Sequence, residues 1–185
     1  MLKRVPRREF LRTLALGLVT AIGAWLGLGS GRARAADAPS SGAPPGGRLE
    51  LPRARWRELL PEAAYRVLFE EGTERSYSSS LNGEKRAGTF LCRACYLPLF
   101  DAATKYESGT GWPSFWEPLR DTVATKTDFK LIFPRTEYHC VRCGGHQGHI
   151  FKDGPPPTGL RYCNNGVALR FVPKGEPLPP LREAS

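Results

Sequence analysis

Five cysteines and three histidines carry most of the reactive chemistry open to this 185-residue chain. Four of the cysteines form two matching pairs, Cys92-Arg93-Ala94-Cys95 and Cys140-Val141-Arg142-Cys143. A two-residue spacing aims both thiolates of a turn at one ion, and two such turns supply four sulfurs to a closed tetrahedral Zn²⁺ site. The same pairs could serve as redox dithiols or, in an oxidising compartment, as disulfides. Two matched knuckles favour one structural zinc on Cys92, Cys95, Cys140 and Cys143. The fifth cysteine, Cys163, follows Arg161 and precedes Asn165 in a polar run from Gly159 to Gly166. A lone cysteine commonly packs as a small hydrophobe, but a basic, hydrogen-bonding setting lowers a thiol's pKa and favours the nucleophilic thiolate. His139 adjoins a knuckle cysteine and reads as a supporting or surface group. With four sulfurs completing a metal site, His146 and His149 are left for proton transfer.

These groups need elements to hold them. Trp56, Leu59 and Leu60, then Ala63, Ala64, Val67 and Leu68, show helical spacing interrupted by Pro61. The pattern predicts two short helices, the second with Pro61 in its first turn and a stop at Gly72. Past Gly88 the texture changes to strand candidates at Thr89–Cys92, Leu131–Pro134, Tyr138–Val141 and Val167–Val172, separated by Gly, Pro and Asn. Lys130–Phe133 and Val167–Phe171 alternate apolar with polar or basic residues, as half-buried strands do. Helices precede strands with no βαβ alternation, so a parallel sheet is not expected. The predicted class is mainly β (α+β), antiparallel, with a short helical cover at the N-terminal side.

The flanks read differently. Arg7-Arg8-Glu9-Phe10-Leu11-Arg12, an uncharged stretch from Thr13 to Gly31 and Ala33-Arg34-Ala35 have the parts of an export signal of the twin-arginine type. Five glycines dilute the apolar stretch, which favours cleavage after Ala35 over a membrane anchor, the alternative that its length leaves open. Residues 36–50 are Pro/Gly/Ser-rich at their start and are expected to be a flexible linker, residues 51–173 the catalytic domain, and residues 174–185 a loose tail. The 27 basic and 18 acidic residues give a net charge of +9. Seven of those basic residues and one of the acids precede residue 36, which leaves 20 against 17, a net +3, for the rest. Such a surface argues against nucleic acid as a partner. The single methionine is Met1.

Five ordered motifs, Cys92-x-x-Cys95, Gly111-Trp112-Pro113-Ser114-Phe115, Cys140-x-x-Cys143, His146-x-Gly-His149-x-Phe151-x-Asp153-Gly154-Pro155 and Arg161-Tyr162-Cys163-x-Asn165, resemble the methionine-R-sulfoxide reductase family of the MsrB type. The resemblance spans roughly residues 51–173. It implies a pair of antiparallel sheets, a structural zinc on the four knuckle cysteines, and attack by Cys163 on the sulfoxide sulfur to give methionine and a cysteine sulfenic acid. Within that mechanism His149 is the expected acid, with His146 nearby. Asp153 is expected to orient a histidine or the network around the substrate oxygen, Arg161 to hold Cys163 ionised, Asn165 to hydrogen-bond substrate or thiolate, and Trp112 to receive the substrate methyl. Phe151 and Phe171 read as packing. Many family members carry a second cysteine two positions before the tryptophan; here that residue is Thr110. The implied cycle therefore uses one cysteine and an external thiol, such as a thioredoxin-like or glutaredoxin-like protein. The remaining expectations are oxidised protein substrates, use of the Tat export machinery, a periplasmic or cell-envelope location and a monomer. Two other classes stay open at this point: a secreted zinc-ribbon binding module, and a cysteine hydrolase using Cys163 and His149 with an oxyanion hole.

Overall fold

The computed structural model describes residues 43–130 and 133–184. The twin-arginine segment and most of the linker lie outside the described residues. Among the described residues no helix is long and apolar enough to cross a membrane.

Two short helices open the domain, α1 (Arg53–Leu59) and α2 (Glu62–Glu70). Pro61 stands just before α2 as its cap, because a proline's fixed φ suits helix entry and its missing N–H leaves no donor unpaired there. The helix ends one residue earlier than Gly72 suggests. Glu71 adopts the left-handed conformation (φ 53°), and Gly72 N–H closes the last turn on the Arg66 carbonyl at 3.0 Å. Ala64, Tyr65, Val67 and Leu68 are the buried face of α2, which lays it over the end of the sheet that carries Gly145 and β7.

Nine strands follow among the described residues: β1 (Gly88–Cys92), β2 (Pro98–Asp101), β3 (Lys105–Tyr106), β4 (Ser114–Phe115), β5 (Val123–Asp128), β6 (Arg135–Cys140), β7 (His146–Phe151), β8 (Arg161–Asn164) and β9 (Leu169–Pro173). They form an antiparallel three-stranded sheet in the order β2-β1-β9 and an antiparallel six-stranded sheet in the order β3-β4-β8-β7-β6-β5. This is the mainly-β, two-sheet architecture expected. Phe90, Phe100, Phe115, Tyr138 and Tyr162 meet between the sheets, with Phe100 stacked on Phe115 at 4.1 Å.

Register explains how one sheet serves both core and chemistry. Tyr106 pairs with Ser114, Ser114 with Cys163, Cys163 with His149, His149 with Glu137 and Glu137 with Lys126. Residues opposite one another on neighbouring strands share a face, so this polar row lies on the side away from the aromatic core. The alternating neighbours Phe115, Tyr162 and Tyr138 point to the core.

The structure departs from the sequence reading in four places. The strand expected over Leu131–Pro134 does not appear among the described residues: Leu131 and Ile132 lie outside them, Phe133 is in a bend, and Phe129 and Phe133 are 77% and 80% exposed. The partner of β6 is instead β5, Val-Ala-Thr-Lys-Thr-Asp, a polar edge strand whose outward Thr and Lys give no apolar alternation to read. Val167 and Ala168 form a 3₁₀ turn and the strand begins at Leu169. Cys163, expected just before a strand, is inside β8. The flanks of the domain are also tied down. Leu49 is buried, its N–H bonds the Arg142 carbonyl at 2.8 Å, and Arg142 Nε reaches the Gly46 carbonyl. In the segment expected to be a loose tail, Arg182 donates from its backbone to the Cys95 carbonyl and from its guanidinium to the Ala94 carbonyl and the Tyr96 hydroxyl. Proline-rich composition signals absent helix or strand, and such a segment can still be held by a few charged hydrogen bonds.

Candidate active site and metal centre

The first knuckle turns between β1 and β2, the second between β6 and β7. Both close in the same way: Tyr96 N–H bonds the Cys92 carbonyl and Gly144 N–H the Cys140 carbonyl, each at 2.9 Å, and each closing residue is left-handed (φ 63° and 70°). The four sulfurs lie within 4.8 Å of one another. Cys92 Sγ is 3.6 Å from Cys143 Sγ and Cys95 Sγ is 3.5 Å from Cys140 Sγ. Disulfide sulfurs stand about 2.05 Å apart, whereas the edge of a tetrahedron with metal–sulfur bonds of about 2.3 Å is about 3.8 Å. All five cysteines are free. The four knuckle residues therefore fit a metal ion and are not paired as disulfides. Gln147 Nε2 donates to Cys92 Sγ at 3.5 Å, the outer contact that orients a thiolate ligand.

Cys163 opens onto a cavity of about 230 Å³ lined by Thr73, Trp112, Arg135, Gly148, His149, Phe151, Asn164 and Asn165. A larger depression between Lys85 and Glu176 is lined by no cysteine or histidine. Gly148 makes the cavity wall possible: a Cβ there would stand 1.8 Å from the Cys163 carbonyl, so only glycine lets β7 and β8 close at this point. Trp112 is fixed by its indole N–H, which donates to the Glu74 carbonyl at 3.1 Å. Gly111 before it is left-handed (φ 88°).

Burial pushes the Cys163 thiol above its ordinary pKa, opposed by Arg161 and by the Thr110 hydroxyl. Arg161 thus works against the effect of burial on the thiol. Its guanidinium is gripped by Asp153 at 2.8 and 2.9 Å and lies over the Phe151 ring at 4.2 Å, so much of its charge is already matched. Asp153 in turn faces Arg161 and orients no histidine. Phe151, read as packing, lines the cavity and carries this cation.

The carboxylate beside His149 is Asp128, at the end of β5. Asp128 Oδ2 is 2.8 Å from His149 Nε2 and accepts from Arg135 Nη2 at 2.6 Å, while Oδ1 takes the Lys130 amide at 2.8 Å. The Lys130 amide, with His149 and Arg135, holds the Asp128 carboxyl well below its usual range. Burial pushes the His149 pKa down, and the bond to Asp128 opposes this.

His146 is not in the cavity lining. It is buried, burial pushes its pKa down to about 4, and its Nδ1 lies 3.1 Å from Glu137 Oε1 without the alignment of a hydrogen bond. It packs edge-on against His149 at 5.4 Å. A neutral, enclosed imidazole supports its neighbour and does not match the proton-transfer part expected of it. Asn165 lines the cavity with its amide already engaged, Nδ2 on the Gln147 carbonyl and Oδ1 on the Glu74 amide. His139 stays apart from the cavity.

Sequence reasoning missed Asp128, Arg135 and Glu74. The first two flank a turn that had been taken as a strand. Glu74 acts through its backbone and through a carboxylate that accepts the Gly166 and Val167 amides, an arrangement with no sequence signature.

Residues 60–173 match the model of the SelR domain. The chain is 51% identical over 128 residues to a peptide methionine sulfoxide reductase MsrB of Pseudomonas putida (strain W619), covering 69% of this chain and 96% of that one. It is 50% identical over 131 residues to the protein of the same name from Caulobacter vibrioides (strain NA1000 / CB15N), 70% of this chain and 82% of that one. The Leptospira interrogans protein of that name is 48% identical over 117 residues, covering 63% and 89%. The SelR-domain match over residues 60–173, together with relatives about half identical over 82–96% of their own length, shows that this chain belongs to the SelR-domain, or MsrB, family.

Proposed function

We propose that this protein is a peptide-methionine (R)-S-oxide reductase that repairs oxidised methionine in exported proteins. The observation that carries the reading is the placement of Cys163 and His149 as cross-strand partners, opening together on a cavity that Trp112 helps to line and that is sized for one side chain. Thiolate attack by Cys163 Sγ on the sulfoxide sulfur, with a proton delivered to the oxygen by His149, moves that oxygen to Cys163. The products are methionine and Cys163–SOH. One thiolate, one sulfoxide and one proton are consumed.

Among the described residues the other four cysteines lie in the metal cluster, so no internal thiol is left to condense with the sulfenic acid. An external thiol forms a mixed disulfide with Cys163 and releases water, and a second thiol then frees Cys163. The knuckle sulfurs would hold Zn²⁺, which supplies a structural brace between the two sheets and takes no part in oxygen transfer. The twin-arginine pattern supports export of the folded, metal-loaded protein to the periplasm or cell envelope.

Turnover of separated methionine sulfoxide epimers with a chemical dithiol tests the reading. Reduction of the R epimer alone is expected; hydrolysis of acyl esters without reductant, or no turnover of either epimer, would overturn it.

A further inference from the structure

The strongest cluster outside the expected site residues is the one that Asp128 builds at the base of the β5–β6 turn. Asp128 leaves β5 and Arg135 enters β6 as cross-strand partners. Both reach back to the cavity: Arg135 lines it, and Asp128 touches the one histidine in its wall. The two bonds at Oδ2 converge on one oxygen, so Arg135 fixes where that oxygen sits and the oxygen fixes where His149 Nε2 points. A carboxylate only accepts, so a neutral His149 must carry its proton on Nε2 and leave Nδ1 as the basic nitrogen. Asp128 is 7% exposed, which keeps both bonds from being washed out by solvent.

We infer that Asp128 and Arg135 are positioning residues for the reaction: a clamp that sets the tautomer, aim and charge of His149 and so makes it a competent proton donor. The inference rests on the reductase reading for its meaning in catalysis. Asp128 stabilises the imidazolium on Nε2, Nδ1–H is the proton given to the sulfoxide oxygen, and the neutral ring that results is the tautomer Asp128 already holds. Arg135 works in two ways. It holds Asp128 still, and its cation offsets part of the carboxylate's field at His149. The titratable and charged groups facing His149 are Asp128 from β5, Arg135 and Glu137 from β6, His146 from its own strand and Cys163 from β8. Of these, Asp128 alone touches a ring nitrogen.

The clamp makes two predictions of opposite sign, which a merely structural role would not. Asp128→Asn keeps an acceptor for Nε2–H and removes the charge, so the His149 pKa should fall by about one unit. Arg135→Gln removes the opposing cation, so it should rise. The test uses the full zinc-loaded chain, with zinc content and thermal unfolding checked for each variant. Imidazole ¹³C and ¹⁵N resonances give the titration and tautomer of His149, and the pH profile of kcat/KM on the R-sulfoxide gives its effect on turnover. Because the Cys163 thiol titrates above His149, the acidic limb of the profile reports His149: it should move down in Asp128→Asn, leaving about a tenfold loss at neutral pH that narrows toward the wild type at lower pH, and should move up in Arg135→Gln. Unmoved His149 titrations, shifts of the same sign, or a wild-type tautomer protonated on Nδ1 would overturn the clamp. So would a limb that stays fixed while His149 shifts. Should the wild type reduce neither epimer, the reductase reading fails, and the resonances still decide whether the clamp exists.

Discussion

Arg161 and Asp153 act on the Cys163 thiol with opposite signs, and the structure says which should matter more. Arg161 is 8% exposed and lowers the thiol pKa; Asp153 is 61% exposed, raises it, and draws the guanidinium toward itself. Removing the cation in Arg161→Gln should raise the Cys163 pKa by about one unit, because an adjacent opposite charge is worth at least that much in a partly buried site. The thiol already titrates above neutrality, so at pH 7 the thiolate fraction falls about tenfold. The remaining thiolate is more basic and hence about threefold more nucleophilic, leaving about a threefold slower reaction with a small disulfide probe. Asp153→Asn should act the other way and by less, since water screens an exposed carboxylate. The assay is the pH–rate profile of that probe, with Cys163→Ser as the blank for knuckle thiols. Arg161→Gln reacting as fast as the wild type, or both variants moving in one direction, would refute the assignment of Arg161 as the group that offsets the burial of Cys163.

Other substitutions test separate parts of the account. Thr110→Cys places a thiol where Thr110 now contacts Cys163; after turnover without reductant it should yield an internal disulfide and two fewer titratable thiols, measured by mass and thiol count. Gly148→Ala pushes a methyl to 1.8 Å from the Cys163 carbonyl, and denaturant unfolding should show a loss of about 1–3 kcal/mol as β7 and β8 are forced apart. Cys140→Ser should release the bound metal and collapse the cooperative thermal transition, because a structural site's binding energy is folding energy; retention of one zinc per chain would contradict the four-sulfur assignment. Cys163→Ser should keep its zinc and unfold like the wild type while losing turnover.

Much of the site was legible because its residues carry chemistry in their type and spacing. Two Cys-x-x-Cys turns imply a metal wherever the chain takes them, and Cys163 and His149 were distinguishable by what the metal did not need. Thr89–Cys92 and Tyr138–Val141 were readable as short strands set off by Gly, Pro and Asn. What escaped was set by partners distant in sequence. β5 is an edge strand whose Thr and Lys face water, so it had no pattern to read. The more apolar stretch beside it, including the exposed Phe129 and Phe133, drew the strand assignment to the turn. That misplacement hid Asp128, and Asp153 was given the histidine that Asp128 in fact holds. His146 and His149 look equivalent in sequence, and only their tertiary surroundings separate them. His149 takes its place in the row with Cys163, while His146, past the register shift in β6–β7, is enclosed beside Glu137. Arg182 gripping the first knuckle could not be foreseen from a proline-rich tail.

The central claim is that oxygen moves from a methionine sulfoxide to Cys163 and waits there for an external thiol. Intact-mass analysis after a single turnover on the R-sulfoxide, without reductant, tests it most directly. The account predicts one methionine released per chain and one added oxygen on the peptide containing Cys163. Methionine release with an unmodified Cys163, or with a disulfide from Cys163 to a knuckle cysteine, would contradict it.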